Sequence, residues 1–202
     1  MLNNKADGFR RSDLEDDKDK KPEEPGLDDK FLKTRSIMLC GEVCEQMSER
    51  IAKQLLILES QSSEPVRIFI DSPGGDVNAG YAIFDMIRFV SCPVTIVGMG
   101  LVASAAALIL LAVDKEHRVG LPNSSYLIHQ PSSQMRGVAT DINIHAEQLE
   151  KLRRKINEEI AAQTGKTVEQ VAMDTDRDHW LSSDEAVEYG LISRTVKCRA
   201  DL

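Results

Sequence analysis

The stretch Gly98-Met-Gly-Leu-Val-Ala-Ser104 is the centre around which the neighbouring sequence is arranged. It follows residues 94–97, an apolar run typical of a buried strand, and its glycines predict a turn. Ser104 then begins an apolar helix that continues through Val113. The first N–H groups of a helix are unpaired and its dipole favours negative charge, so a serine there can serve as a nucleophile. Serine is also a common N-cap, and this stretch alone favours the cap.

Two other predicted strands, one before and one after this stretch in the sequence, end at glycine or histidine residues that could contribute to a site. Upstream, the sequence reads Arg67-Ile-Phe-Ile-Asp-Ser-Pro-Gly-Gly75, an apolar strand followed by a turn whose glycines let another backbone approach closely. Downstream, it reads Ser125-Tyr-Leu-Ile-His-Gln-Pro131, a strand that ends at His129 and is stopped by proline. Three strand ends therefore carry two glycines, Ser104 and His129, which shifts the balance from a simple cap towards a reactive site.

Composition and charge argue against several classes of protein. The 202 residues carry a net charge of −8 and only 4% aromatic residues. A nucleic-acid-binding surface normally has a basic patch with interleaved aromatics, so no nucleic acid is predicted as a partner. Four cysteines without a signal-peptide pattern predict reduced thiols and a cytoplasmic protein. Cys40 and Cys44 lack two further ligands at a recognisable spacing, so no metal is predicted.

Residues 89–113 contain no charged side chain and are long enough to span a bilayer. Pro93, Gly98 and Gly100 interrupt this run, and small residues follow at positions 103–107. Such a pattern is typical of a strand, a turn and a helix buried in a soluble core. The sequence therefore predicts no membrane contact.

The chain is predicted to consist of a charged arm and one α/β domain. Residues 1–30 mix charges of both signs with few apolar residues, so they are predicted to form a flexible arm. The domain, residues 31–202, begins with a strand near Ser36 and a helix over residues 45–59. That helix carries apolar residues at helical spacing: Met47, Ile51, Leu55 and Leu58. Repeated alternation of strands and helices predicts an α/β fold with largely parallel strands.

Residues 132–165 depart from this alternation. A polar, glycine-containing segment precedes one long helix over residues 140–164, which is densely charged except for a narrow apolar stripe. The stripe consists of Ile142, Leu149, Leu152, Ile156 and Ile160. A narrow stripe suits a helix that presses on a neighbouring subunit. A last helix from Ser182 to Tyr189 begins with a capping-box spacing between Ser182 and Glu185.

Four short motifs occur in one order along the chain and give it a specific resemblance. They are Ser72-Pro-Gly-Gly75, Gly100-Leu-Val-Ala-Ser104, Ile128-His-Gln-Pro131 and Asp174-Thr-Asp-Arg-Asp178. With them the sequence resembles the ClpP family, the proteolytic subunits of the Clp protease, from about Phe31 to Val196. The resemblance implies a ClpP/crotonase-like fold, in which repeated strand-helix units form a head and residues 132–165 project as a handle.

The resemblance also implies a serine peptidase with Ser104 as nucleophile, His129 as general base and acid, and Asp178 as the orienting carboxylate. Such a serine needs a base within hydrogen-bond reach, and the base needs a third group that fixes its tautomer. Among the carboxylates, the residues alone do not distinguish Asp178 from its alternatives, and only the family motif selects it. The alternatives are Asp71, Asp114, Asp141, Asp174 and Asp176.

The choice of His129 among four histidines rests on position. His117 lies in a charged turn, and His145 lies inside the long charged helix. His179 directly follows Asp178, and adjacent side chains of an extended segment diverge, so it is predicted to face away from the site. His129 alone ends a strand near the other two strand ends.

Backbone N–H groups of Gly75 and Ala105 are the oxyanion donors that the resemblance implies. The family usually has Met-Gly after the serine, whereas this chain has Ala105-Ala106. An extended substrate would pair with the two segments that flank the serine, which gives little side-chain selectivity. The predicted substrate-binding residues are Gly75, Asp76, Val77, Gln130 and Pro131.

Assembly and partners follow from the resemblance as well. It implies two stacked heptameric rings that enclose the sites, with Asp176 and Arg177 at the ring-to-ring contact. A Clp-family AAA+ unfoldase would feed unfolded polypeptides into the chamber and hydrolyse the ATP itself, because this chain has no Walker-type phosphate loop. No cofactor is therefore predicted for the chain. The charged residues 12–29 stand where the family generally has a partly apolar gating segment.

Two other functions remain open at this point. The chain could be a weakly active or non-catalytic structural ring subunit that modulates an active ClpP paralogue, an alternative that the unusual arm and Ala105-Ala106 keep open. A crotonase-like acyl-CoA enzyme shares the fold and its glycine-rich oxyanion holes. Such an enzyme does not need the combination of Ser104, His129 and Asp178, which counts against this alternative.

Overall fold

A computed structural model describes residues 26–202. The strands within that range are β1 (Ser36–Cys40), β2 (Val66–Ser72), β3 (Val94–Ala103), β4 (Arg118–Gly120), β5 (Ser125–Ile128), β6 (His179–Ser182) and β7 (Arg194–Thr195). The α-helices are α1 (Leu27–Leu32), α2 (Glu45–Gln61), α3 (Val77–Phe89), α4 (Ala105–Leu110), α5 (Ala139–Thr164), α6 (Val168–Asp174) and α7 (Ser183–Tyr189). Short 3-10 turns span Lys115–His117 and Arg199–Asp201.

The strands form one sheet that divides along β3. Strands β1, β2, β3, β4 and β7 are neighbours in that order and are all parallel. Beyond the point where β4 ends, the same edge of β3 pairs in parallel with β5, and β5 pairs with β6 in antiparallel fashion. The prediction of an α/β fold with largely parallel strands is therefore confirmed.

The predicted turn at Gly98–Gly100 is wrong, because β3 continues through these residues to Ala103. Gly100 has a left-handed φ of 56°, and the pairing register between β2 and β3 shifts between Ile70 and Ser72. Asp71 Oδ1 accepts a hydrogen bond of 3.0 Å from the Leu101 N–H, which keeps this irregular segment in the sheet. The helix after Ser104 is also shorter than predicted and ends at Leu110.

Helices α2 and α3 pack against each other, and each buries an apolar face. All four predicted apolar residues of α2 are buried. In α3, Ile83, Phe84 and Ile87 are buried. Residues 89–113 are divided between β3 and α4, and in the described part of the chain no helix has the length and hydropathy to cross a membrane.

Helix α5 leaves the head of the molecule over much of its length. Its first ten residues are all exposed, including Ile142 and Ile144, whereas Ile156 and Ile160 near its end are buried. The apolar stripe is therefore covered in this chain only at the end of the helix that lies on the head. The exposed half agrees with the predicted projecting handle.

Both ends of the described chain carry short helices. Helix α1 begins at Leu27, inside the predicted arm, and the ring of Phe31 packs against Phe69 at 6.4 Å between centroids. The rest of the predicted arm, residues 1–25, lies outside the described residues. Near the other end, Ser182 and Glu185 form the predicted capping box at the start of α7.

Candidate active site

Ser104 lies between the end of β3 and the start of α4 in an unusual backbone conformation. Its φ of 56° and ψ of −122° are rare for a residue other than glycine, and such strain is typical of a nucleophile held on a sharp strand-to-helix turn. Its N–H donates to the Leu127 carbonyl at 2.9 Å. The side chain makes no capping hydrogen bond to α4, so an N-cap does not explain the presence of serine here.

The Ser-Pro-Gly-Gly turn after β2 lies directly against Ser104. A Cβ atom on Gly74 would lie 2.6 Å from the Ala103 carbonyl oxygen and 2.7 Å from Ser104 Cβ. A Cβ atom on Gly75 would lie still closer to the Val43 carbonyl oxygen, and both glycines have positive φ angles. Glycine is required at both positions because a side chain would separate the two backbones.

His129 and Asp178 are brought together by the antiparallel pairing of β5 and β6. Ile128 is paired with His179, so the residue after β5 and the residue before β6 lie side by side. His129 Nδ1 is 3.0 Å from Asp178 Oδ1. A carboxylate on Nδ1 favours the tautomer that keeps the proton on that nitrogen and leaves Nε2 free to accept one.

Ser104 and His129 line the same small cavity. Its other walls are mainly apolar and come from α3, α4, β5 and the buried end of α5. Ile156 and Ile160 supply the α5 wall, which joins the long helix to the site. Among residues 26–202, no hydrogen bond joins the Ser104 hydroxyl to His129, although the imidazole is hydrogen-bonded to Asp178.

The predicted oxyanion donors lie on either side of Ser104. Ala105 is the first residue of α4, and its N–H is one of the helix N–H groups that lack an intrahelical acceptor. In the turn that contains Gly75, the Val43 N–H donates to the Gly74 carbonyl and the Val43 carbonyl accepts the Asp76 N–H. Val43 therefore does not bond to the Gly75 N–H. Neither N–H donates a backbone hydrogen bond within the described chain, so both are available to an oxyanion.

A wider groove extends from the cavity between the start of α3 and the segment after β5. Gly75, Asp76, Val77 and Pro131 line it, as predicted, together with α5. Asp76 also caps α3 by accepting the Ala79 N–H at 2.7 Å. These four residues therefore form a wall along which an extended peptide can lie.

Gln130, the fifth predicted substrate-binding residue, donates hydrogen bonds within the chain. Its N–H donates to the Thr175 carbonyl at 2.6 Å, and its side-chain amide donates to the Asp176 carbonyl at 2.5 Å. Both donors are therefore engaged by the segment that precedes β6, which leaves the Gln130 carbonyl oxygen for a substrate. The cause is the pairing of β5 with β6, a strand that the sequence analysis did not predict.

The remaining candidate residues lie elsewhere. His117 and His145 are exposed, and His179 packs on the ring of Tyr189 at 5.5 Å, facing away from His129 as predicted. Asp176 pairs with Arg153 of the same chain at 3.0 Å, and Arg177 is exposed. The role of Asp176 and Arg177 between rings stays a prediction, because it depends on a second ring.

Comparisons with known proteins show the family to which the chain is similar. Residues 23–199 match the Clp protease family. The ATP-dependent Clp protease proteolytic subunit 2 of Treponema denticola is 58% identical over 189 residues, which cover 93% of this chain and 94% of that protein. The protein of the same name from Treponema pallidum is 60% identical over 174 residues, which cover 86% of this chain and 87% of that protein.

A solved structure extends the similarity to three dimensions. A mutant ClpP1 from Listeria monocytogenes matches with a TM-score of 0.80 and 44% sequence identity. The match covers 85% of this chain and 96% of that one. Sequence and fold thus agree over most of both chains, and the chain belongs to the Clp protease family.

Proposed function

We propose that this chain is an active serine endopeptidase subunit that hydrolyses peptide bonds of unfolded proteins. One observation carries the proposal: His129, already bound to Asp178 at 3.0 Å, lines the same cavity as the strained Ser104. Ser104 is the nucleophile, His129 the base and Asp178 the carboxylate that orients it. Serine, histidine and carboxylate in this relation activate a hydroxyl on unrelated folds.

The proposed reaction begins with attack of Ser104 Oγ on the substrate carbonyl carbon. His129 Nε2 takes the hydroxyl proton, and Asp178 stabilises the resulting imidazolium. The N–H groups of Gly75 and Ala105 donate to the oxygen that becomes negative. His129 then returns the proton to the leaving amine, and water releases the acyl group from Ser104 by the reverse sequence of proton transfers.

Substrate binding in this proposal uses main-chain contacts. A peptide lies extended along the groove wall formed by Gly75, Asp76, Val77 and Pro131, and the Gln130 carbonyl accepts one of its N–H groups. Because backbone groups make most of these contacts, the enzyme accepts many sequences. Selection of substrates then falls to the assembly that controls entry.

The proposed assembly consists of two stacked heptameric rings, formed by this chain alone or together with a ClpP paralogue. Asp176 and Arg177 contribute to the contact between rings. A Clp-family AAA+ unfoldase in the cytoplasm delivers unfolded polypeptides and consumes the ATP, so the chain itself uses no cofactor. Support comes from the names of the relatives, which are proteolytic subunits of an ATP-dependent protease.

A second candidate is a weakly active or non-catalytic structural ring subunit that modulates an active ClpP paralogue. It is favoured by the Ser104 hydroxyl, which has no hydrogen bond to His129 in the described chain. Catalytic hydrogen bonds are often long before substrate binds, so this geometry is also compatible with an active enzyme.

Covalent labelling distinguishes the two candidates. Intact protein mass would be measured after reaction with a fluorophosphonate probe, on the wild type and on Ser104→Ala, with light scattering on the same samples. An active subunit gains one probe per chain in the wild type and none in the variant. An unlabelled wild type in an intact double ring would instead support the structural subunit.

A further inference from the structure

The exposed helix α5 is connected by hydrogen bonds to the turn that carries Asp178. This turn, residues 175–178, joins α6 to β6 and is named here the Asp178 turn. Arg153 Nη2 donates to Asp176 Oδ1 at 3.0 Å. Four residues further along α5, Asn157 Oδ1 lies 2.9 Å from the hydroxyl of Thr175, and both residues are buried. Two successive turns of α5 therefore hold two successive residues of the Asp178 turn.

The same turn is also bound to the residue that follows His129. Gln130 donates its N–H to the Thr175 carbonyl at 2.6 Å and its side-chain amide to the Asp176 carbonyl at 2.5 Å. The Asp178 turn thus lies between α5 and the segment that follows β5, which contains His129. A shift of the turn changes the distance between Asp178 and His129, since Asp178 is only two residues from Asp176.

Arg153 is the residue of α5 that contacts the side chain of Asp176. Its side chain is only 27% exposed, and its guanidinium also lies 3.9 Å from Glu150. The side chain of Asp176 is 59% exposed, so the ion pair contributes little to global stability. It can nevertheless fix the position of the turn, because the planar, half-buried guanidinium donates to the Asp176 carboxylate through Nη2 from a defined direction.

We propose that Arg153 is a positioning residue of the active site: through Asp176, it holds the Asp178 turn so that Asp178 stays on His129. Arg153 touches neither the substrate nor the reacting atoms, and it acts on them through the turn. This inference rests on the proposed peptidase function. It adds Arg153 to the residues on which the alignment of the His129–Asp178 pair depends.

The test compares Arg153→Met with Arg154→Met in the full-length assembly. Arg154 is the adjacent arginine, and it is exposed and forms no ion pair or side-chain hydrogen bond within residues 26–202. We expect Arg153→Met to lower the rate of fluorophosphonate labelling and kcat by about 10- to 100-fold, as when a reacting group is misplaced by up to an ångström. KM, Tm and the mass of the assembly should stay as in the wild type. Arg154→Met should match the wild type, and Arg153→Lys should recover part of the rate.

A double-mutant cycle separates positioning from a general loss of structure. If Arg153 acts through Asp178, Arg153→Met should lower the labelling rate less than twofold in an Asp178→Asn background. Additive losses would overturn the proposal, as would wild-type labelling by Arg153→Met or a loss of activity that follows dissociation of the rings. The outcome does not depend on activity alone: a crystal structure of Arg153→Met should show Asp178 Oδ1 beyond hydrogen-bond reach of His129 Nδ1. A retained contact there would overturn the inference even if the wild type proved inactive.

Discussion

Replacement of Gly74 by alanine tests whether the close approach of the glycine turn sets the position of the nucleophile. A Cβ atom at this position would lie 2.7 Å from Ser104 Cβ and 2.9 Å from the Ala105 nitrogen. Ordinary contacts between carbon atoms begin at about 3.5 Å, so Gly74 and Ser104 must separate by about 0.8 Å. The neighbouring atoms belong to backbone or to a Cβ, so no flexible side chain can move aside to relieve the contact.

This displacement should lower activity more than stability. A misplacement of about 1 Å at a reacting group lowers the rate by about 100-fold, or about 2.7 kcal/mol of transition-state stabilisation. The assay is the rate of fluorophosphonate labelling at Ser104 together with kcat on a short peptide. Thermal unfolding of the same samples reports whether the variant remains folded.

Gly41→Ala is the matched control for backbone strain. Gly41 has a φ of 87°, close to the 89° of Gly74, but a Cβ there would meet no atom within 4 Å. Both variants lose about 1 kcal/mol, or about 2–4 °C in Tm, from the left-handed conformation, and Gly74→Ala should lose more because its Cβ also meets Ala103 and Ser104. Gly74→Ala alone should lose labelling. Equal labelling rates in the two variants would refute the argument that contact with Gly74 positions Ser104.

Three further predictions follow from individual contacts. Asp178→Asn should lower kcat by about 10³- to 10⁴-fold with little change in KM, because an amide cannot hold His129 in the productive tautomer; steady-state kinetics measure this, and a loss below tenfold would contradict it. Thr175→Val should lower the free energy of unfolding by about 1–3 kcal/mol, because Asn157 loses its buried partner; Thr175→Ser, which keeps the hydroxyl, should unfold near the wild-type temperature. Burial raises the pKa of Tyr81 from 10.0 to about 12, so the folded chain holds this proton more tightly and should lose stability as pH rises through that interval; the high-pH step of an ultraviolet difference titration should be smaller in Tyr81→Phe but not absent, because burial also raises the pKa values of Tyr126 and Tyr189.

Local sequence patterns predicted those helices and strand ends that are determined by the order of a few neighbouring residues. The helical spacing of four apolar residues in α2 matches the buried face of that helix, because burial on a sheet requires that periodicity. The strand ends that carry Gly75, Ser104 and His129 were predicted to lie together, and the last two line one cavity. Parallel strands make such a prediction possible because their carboxyl ends meet at one edge of the sheet.

Contacts between distant parts of the chain account for the features that the sequence analysis missed. A turn was predicted at Gly98–Gly100 because two glycines commonly mark one. The Asp71 carboxylate, thirty residues upstream, instead accepts the Leu101 N–H and holds the segment in the sheet. Strand β6 has only four residues and pairs with β5 far upstream. Neither contact leaves a periodic signal in the sequence near the residues that it fixes.

The missed strand β6 also explains why residue type and spacing alone could not select Asp178. The carboxylates of a parallel sheet would be expected at the ends of strands, where His129 itself lies. Strand β6 runs antiparallel to β5, so its beginning, not its end, lies beside His129. A carboxylate before the strand therefore reaches the histidine after its partner. The reversal places the Asp178 turn against α5 as well, where Arg153 and Asn157 form hydrogen bonds with it.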